Sequence, residues 1–203
     1  MRLRWNDKGM INMSEAIRSF IAFDIDDQQI IDKIQSFQRI LAETGADLKL
    51  VEPQNIHITL RFLGNITLNM VDKVYDVMKN VSFKPFTIKI QGVGAFPKIH
   101  HPSVIWAGVK QGTLELRSIF DQLEFGLRRL GFPPEPKGFS PHITIARVKS
   151  GRSRSELVKK INENANIEFG SFTAECLRLK RSELTPKGPM YSTLREFKPG
   201  LKA

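Results

Sequence analysis

The chain has 203 residues, 41% of them hydrophobic, and 31 Lys and Arg against 21 Asp and Glu give it a formal charge of +10. This length and apolar content suit one soluble domain, no apolar run approaches the roughly 18 residues of a membrane span, and one cysteine, Cys176, excludes an internal disulfide and a cysteine-built metal site. The positive charge is spread in pairs such as Arg128-Arg129, Lys159-Lys160 and Lys180-Arg181, which points to a folded basic surface that attracts polyanions; the expected compartment is cytoplasm.

Residues 1–15 precede the first periodic segment and read as an extension, either disordered or upstream of the native start, for which Met13 is a candidate. Alternation in "AIRSFIAFDI" (16–25) predicts a strand, and "DDQQIIDKIQSFQRILAETG" (26–45) an amphipathic helix ending near Gly45. A short strand at 48–51 is broken by Pro53, and "NIHITLRFLG" (55–64) follows as another strand. Thr67 is placed to cap a helix through about Asn80, with Met70, Val71, Val74, Val77 and Met78 at helical spacing. "FTIKIQGVGAF" (86–96) and "SVIWAGVK" (103–110) read as strands. "TLELRSIFDQLEFGLRRLG" (113–131) reads as a helix closed by Gly131. A proline-rich loop leads to "SPHITIARV" (140–148), a strand; then come a Ser/Arg-rich loop, a helix at 155–164, and two long strands, "FTAECLRLKRSEL" (172–184) and "PMYSTLREF" (189–197). The two halves repeat a similar order, so residues 16–203 read as one α+β domain of two similar lobes.

His-Ile-Thr-aliphatic is thus written twice, and these two segments hold two of the chain's four histidines. Strand alternation puts His57 and Thr59 on one face and Ile56, Ile58, Leu60 and Phe62 on the other; likewise His142 and Thr144 oppose Ile143 and Ile145. A lone histidine on a half-buried strand is ordinarily a hydrogen-bonded structural residue. Duplication with a threonine at the same offset reverses that reading. Two imidazoles flanking one phosphorus supply the general base and general acid that phosphodiester hydrolysis needs without metal, and hydroxyls can hydrogen-bond the non-bridging oxygens. No Asp, Glu or Cys in either motif completes a metal shell, so neither metal nor cofactor is expected.

On "HITLRFLG", "PHITIARV", the opening "RSFIAFDI" and the closing "LTPKGPMYSTLREF", the chain resembles the two-histidine phosphoesterases, in particular their RNA 2′,3′-cyclic phosphodiesterase (2′-5′ RNA ligase) branch, over about residues 17–197. The resemblance implies that the two lobes are pseudo-symmetric, with antiparallel sheets facing a central groove and helices packed outside. It implies hydrolysis of an RNA terminal 2′,3′-cyclic phosphate to a 2′-phosphate, with His57 as proton donor and His142 as acceptor. It also implies a reverse, ATP-independent 2′-5′ ligation. The partner is then RNA with cyclic phosphate ends, tRNA-derived ends among them, and the protein a monomer. Thr59, Thr144 and Arg147 are the expected phosphate-binding residues. Strict alternation places Arg147 on the back with Ile143 and Ile145, so a bulge or the strand's end must turn it for it to reach phosphate. The alternatives are an RNA-binding module without chemistry and an enzyme for small cyclic nucleotides.

Other residues carry weaker signals. Arg61 shares the parity of His57 and reads as groove-lining or as a solvated edge charge; Phe62 and Phe139 read as core rather than base platforms, and Ser140 as a groove residue. His100-His101 reads as a loop pair, "GVGAF" as a turn or bulge, Cys176 as a strand residue, and Lys180-Arg181 as solvated surface.

Overall fold

A computed structural model describes residues 16–200 other than 137 and 187; the extension proposed for residues 1–15 lies outside the described residues. Within the described residues nine strands and four helices follow in the order β1 (Ile17–Asp24), α1 (Gln28–Ala42), β2 (Leu48–Leu50), β3 (His57–Ile66), α2 (Leu68–Lys79), β4 (Phe86–Lys98), β5 (His101–Gln111), α3 (Thr113–Arg129), β6 (His142–Val148), α4 (Arg154–Glu163), β7 (Glu168–Ala174), β8 (Leu177–Thr185) and β9 (Gly188–Phe197). Local chemistry sets the helix starts: the side chains of Asp27 and Thr67 accept from the amides of Ile30 and Met70, in the first turn, where amides have no carbonyl four residues back within the helix. Gly131, at φ 90°, lies just past the end of α3, in a conformation that other residues rarely adopt.

The strands run antiparallel in the order β7-β4-β5-β6-β3-β1-β8-β9, and β2 adds to β6. The order is symmetric about the β6–β3 junction, where Ile58 pairs with Ile143. Two four-stranded halves therefore meet through the central residue of each His-Ile-Thr motif. Both isoleucines are fully buried, and their histidine and threonine neighbours face the opposite side. The helices cross between halves. α1, from the first half of the chain, packs on β6, β7 and α4, while α3, from the second half, packs on β3 and α2.

The long strand expected at 172–184 is two strands, β7 and β8, at distant places in the sheet: β7 pairs with β4 and β8 with β1. The break falls at Glu175 and Cys176, where Cys176 and Leu177 are buried in succession and alternation ends. Cys176 thus lies between strands rather than within one. The segment read as a turn or bulge at "GVGAF" is a bulge in β4, with Gly92 at φ 85° and the pairing with β5 shifting between Ile90 and Val93.

Candidate active site

Each motif histidine is oriented by the backbone two residues before it. His57 Nδ1 lies 2.7 Å from the Asn55 carbonyl, and His142 Nδ1 lies 2.7 Å from the Ser140 carbonyl. A carbonyl only accepts, so Nδ1 carries the proton in both rings and Nε2 is the basic nitrogen of the neutral form. In His57 that nitrogen accepts from the Thr59 hydroxyl at 2.9 Å. The Asn55 side chain also donates to the Pro189 carbonyl at 2.9 Å, joining the turn before β3 to the tip of the β8–β9 hairpin.

Aromatic rings wall both imidazoles. Phe20 and Tyr191 lie 4.9 and 5.3 Å from His57, ring centre to ring centre, and Phe96 lies 5.0 Å from His142. Burial lowers the pKa of both histidines, because apolar surroundings disfavour the imidazolium. At His57 the Asn55 carbonyl and the Asp24 carboxylate oppose that shift, while Lys180 and the charge on His142 add to it. At His142 the Ser140 carbonyl opposes it and Arg147 adds to it. His57 thus senses the charge on His142 across the site.

Bulges decide which residues join them. Between β6 and β5 the register passes from Trp106↔Thr144 to Ile105↔Ala146, so Ile145 is an extra residue. After it the parity inverts: Ile145 and Ala146 are both buried and Arg147 emerges on the His142 face. Two donors meet the Ile145 carbonyl, the Val51 amide at 3.0 Å and the Gln38 side chain at 2.8 Å. Gln38 is only 4% exposed on α1, and the same amide nitrogen donates to the Val51 carbonyl at 2.8 Å.

A matching bulge in β3 overturns two expectations. The register passes from Ala22↔Thr59 to Ile21↔Arg61, with Leu60 the extra residue. Arg61 therefore turns inward and is 6% exposed, neither lining the groove nor solvated at an edge. Its guanidinium pairs with the Glu124 and Glu135 carboxylates and donates to the Phe62 and Pro133 carbonyls. Phe62 turns outward, is 56% exposed and lines the groove; it is not core. Counted from each histidine, Phe62 and Arg147 occupy the same position of the repeat, as do the buried Arg61 and Ala146.

The resulting groove has a volume of about 1080 Å³, and His57, Thr59, His142, Thr144 and Arg147 all line it. Ser140 supplies its carbonyl to His142 but is not part of the groove lining. Phe139 is core, stacked on Phe120 with ring centres 4.8 Å apart. His100 and His101 sit at the β4–β5 connection, away from the groove lining. Lys180 departs from the solvated reading: it is buried and paired with Asp24, the cross-strand neighbour of His57. Among the described residues no cluster of three or more His, Cys, Asp or Glu is placed to hold a metal ion, and no helix is long and apolar enough to cross a membrane.

The family model described as LigT like Phosphoesterase matches the chain over residues 25–106 and again over residues 108–191, so that each match contains one His-Ile-Thr motif. The chain belongs to the LigT-like phosphoesterase family. The family model thus divides this LigT-like phosphoesterase as the internal repeat does, and the likeness to two-histidine phosphoesterases is borne out. A protein of Aeropyrum pernix named RNA 2′,3′-cyclic phosphodiesterase is 40% identical over 83% of this chain and 96% of its own length. One of the same name from Methanothermobacter thermautotrophicus is 35% identical over 90% of this chain and 98% of its own. Among solved structures, a protein of Thermus thermophilus superposes with a TM-score of 0.74 at 28% identity, covering 90% of this chain and 97% of that one. E. coli LigT shares the fold, with a TM-score of 0.74 at 22% identity over 91% of this chain and 98% of its own.

Sequence reasoning assigned Phe62 to the core and passed over Gln38, Lys49, Lys149 and Tyr191. For Phe62 a signal existed. Aligning the two motifs by their histidines sets Phe62 opposite Arg147, so whatever turns one toward the groove should turn the other. Gln38 and Tyr191 carry no such mark, because both reach the site through elements remote in the chain.

Proposed function

We propose that this LigT-like phosphoesterase hydrolyses the 2′,3′-cyclic phosphate at the end of an RNA to a 2′-phosphate, with His57 as general acid and His142 as general base. The observation that carries the reading is the pair of like-oriented imidazoles in one groove, each held through Nδ1 by the carbonyl two residues earlier. The names of the relatives from A. pernix and M. thermautotrophicus support the substrate class. Water attacks phosphorus as His142 Nε2 takes its proton; the bond from phosphorus to O3′ breaks, and His57 Nε2 gives that oxygen a proton. The product carries a 2′-phosphate and a 3′-hydroxyl, and exchange with solvent resets both rings. The division of roles between the two rings is the one that the family resemblance implies.

Thr59, Thr144 and Arg147 stabilise the charge that builds on the non-bridging oxygens. The Thr59 hydroxyl, which donates to His57 Nε2 in the free protein, is released when that nitrogen takes up its proton. Phe62 gives the terminal base an exposed ring face, a contact worth about 1–3 kcal/mol in single-strand recognition. With a 5′-hydroxyl in place of water, the same steps join two RNA ends through a 2′-5′ link.

The test is turnover of an oligonucleotide with a 2′,3′-cyclic phosphate end, in excess EDTA, with the product identified. His57→Ala and His142→Ala should each lower turnover about 10²- to 10⁴-fold while folding and RNA affinity change little. Because both act on one transition state, the double variant should lose much less than the product of the single losses. Wild-type turnover in either single variant would overturn the paired assignment, and activity restored only by an added divalent metal would overturn the metal-free scheme.

A further inference from the structure

The groove extends past the two histidines, and its lining brings cations and exposed apolar side chains together. β2 is three residues long and, among the described residues, pairs only with β6, placing Lys49 directly opposite Arg147. Lys149 follows two residues after Arg147, about 6.6 Å along an extended chain, its amide donating to the Asp47 carbonyl at 2.8 Å. Lys49, Arg147 and Lys149 all line the groove, and among the described residues none of the three has a carboxylate partner. By contrast, Arg61, Arg178 and Lys180 are each paired with carboxylates. Among the described residues the groove lining contains one carboxylate, Glu52.

Apolar groups are gathered in the same groove. Six large hydrophobic side chains are exposed on the described surface, and three of them, Phe62, Leu184 and Met190, line it. Leu184 and Met190 belong to the β8–β9 hairpin, whose tip Asn55 anchors through Pro189. Exposed apolar side chains next to water are costly unless a ligand covers them, and unpaired cations nearby specify an anionic one. Bases stacked on one side and phosphates following cations on the other is the pattern of single-stranded nucleic acid in its groove.

We propose that Lys49 and Lys149 form a second phosphate subsite, which holds the internucleotide phosphodiester next to the terminal cyclic phosphate, with the penultimate base against Leu184 and Met190. The inference rests on the cyclic phosphodiesterase reading above. It makes the preferred substrate an oligonucleotide end rather than a free nucleoside 2′,3′-cyclic phosphate. The first nucleotide engages the two histidines and Arg147; the second subsite adds affinity only when a second phosphate is present.

The test compares adenosine 2′,3′-cyclic phosphate with the dinucleotide that carries the same end, for the wild type and for Lys49→Ala and Lys149→Ala. Wild-type kcat/KM should be at least about tenfold higher on the dinucleotide, the gain that one charge-assisted phosphate contact supplies. Each variant should lose most of that advantage through KM and leave the mononucleotide unchanged. Binding of the two 2′-phosphate products, measured by titration, should show the same pattern. Removing Lys49 should lower the slope of log affinity against log salt by about 0.7 for the dinucleotide alone. Equal losses on both substrates, or no dinucleotide preference in the wild type, would overturn the subsite. If neither cyclic phosphate is hydrolysed, the catalytic reading fails by itself, and the product titration still decides the subsite.

Discussion

Replacing Arg61 by methionine separates a buried structural cation from a surface one. Its guanidinium is nearly water-free, pairs with Glu124 and Glu135, and donates to the carbonyls of Phe62, at 2.6 Å, and Pro133. Glu124 is also buried, and without Arg61 its one remaining cationic partner among the described residues is Arg128 at 3.7 Å. Removing one partner of a buried pair leaves the other charge uncompensated, which costs about 3–5 kcal/mol, whereas a solvated edge pair is worth about 0–1 kcal/mol. For a domain of this size the larger figure lowers Tm by roughly 6–20 °C. Removing the two most buried charges, as Arg61→Met with Glu124→Leu, should recover part of the loss, because that pair then needs no desolvated ions to be matched, while Glu135 and the carbonyls of Phe62 and Pro133 still lack the guanidinium. Urea unfolding of the wild type, both single variants and the double variant gives the coupling energy directly. A loss below about 1 kcal/mol for Arg61→Met, or a double variant no better than the singles, would refute the reasoning. The double variant should also keep its kcat, since Arg61 does not reach the groove.

Phe62→Ala should raise KM for an RNA end about 5- to 150-fold with kcat little changed, the loss of one stacked base; an unchanged KM would remove Phe62 from the site. Arg147→Ala should cost about 10- to 1,000-fold in kcat/KM, and Gln38→Leu should lower kcat/KM only where Arg147 is present, because the Gln38 amide supports the bulge that turns Arg147 outward. Additive losses in the two backgrounds would show that Gln38 acts otherwise. Burial lowers both histidine pKa values, so between the folded values and about pH 6.5 the unfolded chain binds more protons than the native one. That contribution to stability is full above about pH 6.5 and is lost as pH falls through the folded values. Unfolding free energies of the wild type and the His57→Asn/His142→Asn variant, measured from about pH 7 to 5, should show the variant declining less. A parallel decline would refute it.

Helix ends, strand segments and the paired histidines were legible in the sequence because each depends on neighbours in the chain. Thr67 caps the turn that follows it, and Val71, Val74 and Met78 recur on one face of α2 wherever that helix lies. The repeated His-Ile-Thr likewise carries its own parity, so Ile58 and Ile143 had to be buried if His57 and His142 faced a groove. Alternation failed at Leu60 and Ile145, because a bulge is a property of two strands and depends on the partner alongside. There Arg61 went inward and Phe62 and Arg147 outward. The partners that fix those turns come from remote elements, Gln38 on α1 for one bulge and Glu124 on α3 for the other. Nor could period two say that residues 172–184 divide between β4 and β1, since every strand has the same period whichever neighbour it joins. Local dihedral preference and spacing encode the elements, their buried faces and the two imidazoles. Which cations are buried, which aromatic ring meets the groove and where Arg147 points were decided only by tertiary pairing, because burial and hydrogen-bond satisfaction are set by residues far away in the chain.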